Sequence, residues 1–226
     1  MQWCKAIITC SVALTLLTMA GCGKKGDATD SQAAISGADG VKNVGGSSGG
    51  PSTRQDPLHP LVVVETSLGN VTVRLDKEKA QLTVDNFLSY VESRHYDQTI
   101  FHQVFKGQGI LGGGYAADAN QAEKPTRTPV RNEARLGRKN LRGTIAMVRS
   151  IDSPDSATCQ FLLNVADNEI LDHRDDSPEG YGYCVFGEVI VGMEVVDKIA
   201  EAPVNDTSRF ERTPVQTVLI RSIRRM

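Results

Sequence analysis

The sequence has almost no charge imbalance: 25 Lys and Arg stand against 27 Asp and Glu, a formal net charge of −2. A chain so balanced carries no electrostatic footprint for nucleic acid. Arg221, Arg224 and Arg225 come nearest to a basic patch, and they read as the solvated face of a final strand. Metal chemistry lacks its spacing signals as well. His59, His95, His102 and His173 form no i, i+4 pair and no HExxH, and neither Cys159 nor Cys184 has a CxxC partner. No Lys-Ser/Thr follows Gly112-Gly113-Gly114, which excludes a phosphate loop. The charged stretch Asp172–Asp176 leads into Ser177, Pro178 and Gly180, a turn-rich solvated loop and not an acid–base pair. There is no internal repeat. No metal, cofactor or nucleic-acid partner is expected.

A long apolar run is also missing. Ala6 to Met19 is apolar for 14 residues, short of the ~20 that cross a bilayer as a helix but suited to the core of a signal peptide. Met19-Ala20-Gly21-Cys22 closes it and resembles a bacterial lipobox, which makes Cys22 the lipidated N-terminus after cleavage. Residues 1–21 are thus expected to be a lipoprotein signal peptide. Residues 22–60 are expected to form a lipid-anchored flexible linker: Gly23 to Pro57 holds eight Gly and five Ser in 35 residues. Such a segment cannot bury enough apolar surface to offset its ordering entropy, and as a coil it reaches on the order of 30 Å. The chain is expected to be exported and lipid-anchored to the cell envelope on its periplasmic face. Cys159 and Cys184 read as buried thiols, with a disulfide open if their strands are adjacent.

From Leu61 the pattern becomes that of a folded domain, residues 61–226. Leu61 to Thr66 and Val71 to Leu75 read as a hairpin about Ser67-Leu68-Gly69-Asn70. Further strands are expected at Ile100–Phe105, Gly143–Val148, Gln160–Val165, Tyr183–Val189 and Val215–Ile223. Val84, Phe87, Leu88 and Val91 share one face of a helix from Thr83, the expected N-cap, to Arg94. Met193, Val196 and Ile199 do the same in a second helix, Met193–Ala200. Many strands and two helices point to a closed antiparallel barrel.

Several strings then recur in order and in register: Asn132-Glu133-Ala134, Asn140-Leu141-Arg142-Gly143-Thr144-Ile145-Ala146-Met147, Ser156-Ala157-Thr158-Cys159-Gln160-Phe161, and Gly182-Tyr183-Cys184-Val185-Phe186-Gly187-Glu188-Val189. Together they resemble the cyclophilin-type peptidyl-prolyl isomerases, most closely the short bacterial kind. The resemblance implies a mainly β fold, a closed eight-stranded antiparallel barrel capped by two α-helices. It also implies isomerisation of Xaa-Pro bonds in proline-containing polypeptides, by a monomer. The amide has a rotation barrier of roughly 18–20 kcal/mol. A catalyst for it needs neither nucleophile nor metal, only an apolar seat for the proline ring and donors that favour the twisted amide.

The resemblance assigns the site residue by residue. Phe101, Gln160 and Phe161 match the family. Leu162 replaces a Phe, Leu171 matches the pocket Leu, Ile170 takes the adjoining aromatic-rich position, and Tyr183 stands where many bacterial members have Tyr. Val148, Arg149 and Asn168 are expected along the adjoining groove. Phe161 and Leu171 read equally well as barrel core. Four positions depart from the family: Gln103 stands in place of the catalytic Arg, Gln108 of a Phe, Gly109 of a Met and Leu111 of a Gln. Losing one preorganised donor costs about 10²–10³ in rate. Three functions compete on this scaffold: an exported isomerase of reduced turnover, a non-catalytic module that holds proline-containing segments, and an envelope scaffold without peptide affinity.

Overall fold

The computed structural model describes residues 56–226. The expected signal peptide, Cys22 and nearly all of the linker lie outside the described residues. Ten strands and two α-helices follow in chain order: β1 Leu61–Thr66, β2 Gly69–Leu75, α1 Gln81–Glu92, β3 Thr99–Phe105, β4 Gly109–Ala116, β5 Thr144–Met147, β6 Phe161–Asn164, β7 Val185–Val191, α2 Met193–Ala200, β8 Val204–Asn205, β9 Thr213–Pro214 and β10 Val218–Arg225. Eight strands close a barrel in the order β1-β10-β3-β4-β6-β5-β7-β2, and every neighbouring pair is antiparallel. Strands β8 and β9 form a separate two-stranded ribbon.

The barrel is filled by the apolar alternation of its strands. Val62 and Val64 of β1, Val71, Val73 and Leu75 of β2, Phe161 and Leu163 of β6 and Phe186 of β7 point into one buried cluster. Helix α1 closes it by adding Val84, Phe87, Leu88 and Val91, the face that the sequence spacing marks. Aromatic rings stack through the centre. Phe87 lies 5.1 Å from Phe186, 5.2 Å from Tyr96 and 6.1 Å from Phe161, and Phe161 lies 6.1 Å edge-on to Phe101. Each such fully buried ring is worth about 1.5–3 kcal/mol of transfer free energy, and edge-on pairing adds to that.

Strand β4 is the barrel strand that sequence pattern does not mark, because Gly112-Gly113-Gly114 offers no side chains to alternate. The structure makes those glycines a packing requirement. A Cβ on Gly112 would stand 2.8 Å from the Phe101 ring, one on Gly113 2.8 Å from Phe161, and one on Gly114 2.5 Å from Gln160. Gly113 also has φ +89, the left-handed region that glycine adopts without strain.

Helix α1 starts earlier than its polar residues indicate. Ala80 is the N-cap position and makes no side-chain cap, so Thr83 lies inside the first turn. The carboxylate of Glu133 does the capping from a distant loop: it accepts from the backbone N–H of Leu82 at 3.1 Å and of Thr83 at 2.8 Å, and from the Thr83 hydroxyl at 2.7 Å. An anion at a helix N-terminus satisfies orphan donors and the helix dipole together. Cys159 and Cys184 are buried and not joined in a disulfide. Burial pushes the Cys184 thiol up to about 11, which leaves it an inert core group.

Imidazoles shielded from water make the fold sensitive to pH, His102 most strongly. His102 is sandwiched between Tyr115 at 4.7 Å and Phe210 at 5.0 Å, and its Nδ1 has no hydrogen-bond partner. Burial lowers its pKa from 6.5 to about 3. Below 6.5 the unfolded chain therefore takes a proton that the folded chain refuses. Stability is full above that value and falls as pH drops from 6.5 towards 3. Between pH 7 and pH 5, His102 is expected to cost about 1–2 kcal/mol. Urea midpoints at the two pH values check this. His95, whose pKa burial lowers to about 4, acts in the same direction, so His102→Phe should remove about half of the difference.

Candidate functional site

The outward face of the barrel carries a second, smaller apolar cluster. Phe105, Leu111, Ala146, Leu162, Leu171, Tyr183 and Val185 pack together, with Val148 against them. Strand register explains how they meet. Gln103 of β3 pairs with Leu111 of β4, Leu111 with Leu162 of β6, Leu162 with Ala146 of β5, and Ala146 with Val185 of β7. Five neighbouring strands thus set one row of side chains across the sheet, with Gln103 at its end. Phe105 lies two residues beyond Gln103 and so shares its side of β3. Leu171 comes from a 3₁₀ turn, Glu169–Leu171, that lies over the row.

Buried amides fix that turn. Asn168 Nδ2 donates to the Asn164 side-chain carbonyl at 2.7 Å and to the Gln108 backbone carbonyl at 2.9 Å. Asn140 Nδ2 donates to the carbonyls of Leu171 at 3.0 Å and Tyr183 at 3.3 Å. Arg149, only 3% exposed, ties the far wall. Its Nε donates to Gly182 O at 2.8 Å, Nη1 to Ser150 O at 2.8 Å and Ile151 O at 3.1 Å, and Nη2 to Pro178 O at 2.8 Å. Its guanidinium lies 4.9 Å over the Tyr183 ring. Arg149 is therefore a brace between loops.

The residues singled out in the sequence fall into two groups. Gln103, Leu111, Leu162, Leu171, Tyr183 and Val148 gather on the outward row and its cover. Phe101 and Phe161 do not: their rings point into the barrel and belong to the interior cluster. Phe161 sits one residue out of phase with Leu162, and the register shift between Phe101 and Gln103 turns Phe101 inwards. Gln160 lies against Gly114, away from the row. Gln108 is half-buried at the turn between β3 and β4, and Ile170 is 51% exposed on the rim. Sequence reasoning passed over Phe105, Ala146 and Val185. A period of two from Gln103 would have found Phe105, whereas Ala146 and Val185 join only through register.

The substituted positions have been built over. Gln103 is buried and donates its side-chain amide to the backbone carbonyl of Glu211 at 3.3 Å, across to the segment that leads into β9. Leu162 fills the space beside Gly109, where a Cβ would stand 2.5 Å from Leu162 Cδ1 and 2.8 Å from the Leu163 carbonyl. Leu111, Leu162 and Leu171 are each 2% exposed, so the floor gives most of its apolar surface to itself. His59, Asp76 and Glu78 come within 4.8 Å of one another on a different side. There the Arg138 guanidinium already holds the Asp76 carboxylate at 2.6 Å, which disfavours a cation.

Known proteins share this barrel. The family model of the cyclophilin type peptidyl-prolyl cis-trans isomerase/CLD matches residues 61–225. Peptidyl-prolyl cis-trans isomerase B of Escherichia coli is 42% identical over 163 residues, covering 72% of this chain and 98% of the relative. Peptidyl-prolyl cis-trans isomerase A of Dickeya dadantii is 45% identical over 161 residues, 71% of this chain and 82% of the relative. A solved cyclophilin type isomerase of Cryptosporidium parvum superposes with a TM-score of 0.62 at 24% identity, covering 74% of this chain and 98% of that one. That likeness concerns the fold. A closed eight-stranded antiparallel barrel with two helices is the architecture they share. The chain belongs to the cyclophilin-type peptidyl-prolyl cis-trans isomerases.

The packing at Gly109 yields a direct expectation. Gly109→Met places a long side chain against Leu162 and a backbone carbonyl, so it should destabilise by about 1–3 kcal/mol. Urea unfolding measures the loss, and Leu162→Ala in the same chain should recover part of it by opening the space.

Proposed function

We propose that this isomerase works with reduced turnover on Xaa-Pro bonds of exported polypeptides, held at the envelope by a lipid on Cys22 and the linker of residues 22–60. The observation that carries reduced turnover is the fate of Gln103. One N–H of its side-chain amide is given to Glu211 O, and the donor at that position is neutral where the family has a charged guanidinium. The nearly sealed Leu111–Leu162 floor adds to this, since a proline ring gains little from apolar surface already buried. Export and tethering rest on the N-terminal sequence alone: a short apolar run, a lipobox-like string and a Gly/Ser-rich linker. The same sealed floor favours a second reading, a module that holds proline-containing segments on its rim without turning them over.

A protease-coupled isomerisation assay on an Xaa-Pro peptide separates the two. Reduced turnover predicts a kcat/KM about 10–100-fold below that of the Escherichia coli relative. Equal rates would overturn reduced turnover, and no rate above the uncatalysed one would leave the binding module and the scaffold without peptide affinity. For the anchor, Cys22→Ser should move the protein from the membrane to the soluble fraction on cell fractionation. Unchanged membrane association would count against the lipid.

A further inference from the structure

A second guanidinium stands at the same site, and it is uncommitted. Arg212 lies in the segment between β8 and β9, next to the Glu211 carbonyl that engages Gln103. Its guanidinium carbon sits 4.9 Å over the ring of Phe105, and Phe105 belongs to the outward floor with Leu111, Leu162 and Leu171. Among the described residues that guanidinium makes no hydrogen bond and no ion pair. The side chain is half-buried. Five N–H donors are thus held at the edge of an apolar floor without an acceptor.

The backbone shows that the position is enforced. Arg212 has φ 55, a left-handed conformation uncommon for a residue with a side chain. Two hydrogen bonds hold it there: its N–H donates to Asp206 Oδ1 at 2.9 Å, and its carbonyl accepts from Val104 N–H at 3.0 Å. Val104 lies between Gln103 and Phe105, so Arg212 is pinned to the stretch of β3 that faces the site. Strain at a residue fixed from both sides is a pattern that clusters at functional positions.

The chemistry of the reaction gives such a donor a use. In the planar Xaa-Pro amide the nitrogen lone pair is delocalised and accepts no hydrogen bond. As the bond twists, the nitrogen pyramidalises and its lone pair localises, so that a donor there stabilises the twisted state and not either planar one. Only such differential interactions speed a reaction. No bond to the enzyme forms, and no proton needs to leave Arg212. A guanidinium suits this role because it stays charged and carries directional donors.

We propose that Arg212 is a catalytic residue of this domain, the donor to the twisting Xaa-Pro amide that Gln103 does not provide. Arg149 cannot take that role, since its Nε, Nη1 and Nη2 are all given to backbone carbonyls. The inference rests on isomerase turnover by this chain. It assigns that turnover to a side chain from the β8–β9 segment, more than 100 residues from Gln103, as the 108-residue separation from Glu211 requires.

The test compares the full chain with its Arg212→Ala, Arg212→Gln and Arg212→Lys variants in the coupled assay. The expected result for Ala and Gln is a fall in kcat of about 10²-fold with KM little changed, at an unaltered urea midpoint. Lys should keep part of the activity. Millimolar guanidinium chloride should partly restore the Ala variant, whereas sodium chloride should not; a merely structural role would show no such rescue. Wild-type turnover that persists in both the Ala and Gln variants overturns the role of Arg212 and leaves the isomerase reading intact. A wild-type chain with no turnover overturns both.

Discussion

The rest of this structure depends on how closely β4 can approach its neighbours. Gly112, Gly113 and Gly114 stand where Phe101, Phe161 and Gln160 already fill the space that a Cβ would need. Because β4 lies between β3 and β6 in the closed barrel, that approach fixes both faces of the wall at once. Inside, it lets the rings of Phe101 and Phe161 meet edge-on beneath α1. Outside, it sets Leu111 in register between Gln103 and Leu162. A side chain in the middle of this glycine run would push the strand outwards, separating the ring stack from the outward row. Cores packed at the density of organic crystals do not absorb such a shift locally.

The outward row shows how a site can change its chemistry while its frame stays whole. With Gly at 109 and Leu at 111, Leu162 leans into the vacated space, and the floor becomes an apolar patch that is satisfied within itself. The neutral amide of Gln103 finds a backbone carbonyl on the β8–β9 side. The changes at Gln103 and Leu111 are coupled, because the two residues face each other across β3 and β4. The buried amides of Asn140, Asn164 and Asn168 are engaged with backbone and with one another, and they hold the 3₁₀ turn over the row whatever the row contains. Charge enters the site from outside the row, by the guanidinium of Arg212 over Phe105.

Much of the fold was legible in the sequence. Seven runs of strand-like alternation and two amphipathic helices follow from side-chain periodicity, and the resemblance supplied the count of eight strands. The unmarked barrel strand was β4, since glycine carries no alternation and its purpose is visible only in what packs over it. The N-cap of α1 was misplaced by three residues for a related reason. Thr83 looks like a cap locally, but the capping carboxylate is Glu133, brought in by the chain's return. The site was legible in part. Positions 103, 111, 162, 171 and 183 fall together, while Phe161 turns inwards by the strand's period of two and Phe101 by the register shift that separates it from Gln103.

By itself the sequence determined the kind of elements, their order and the membership of the family, because these rest on local periodicity and on strings of residues in register. It also marked Gln103, Gln108, Gly109 and Leu111 as departures. Only the tertiary structure decided what those departures mean. Whether a leucine lines a pocket or closes it depends on the neighbouring strand's register. Whether an amide is free depends on a carbonyl 108 residues away. The placement of Arg212 over Phe105 depends on a ribbon that no sequence pattern ties to the site. Such contacts join residues distant in the chain, so no local pattern encodes them.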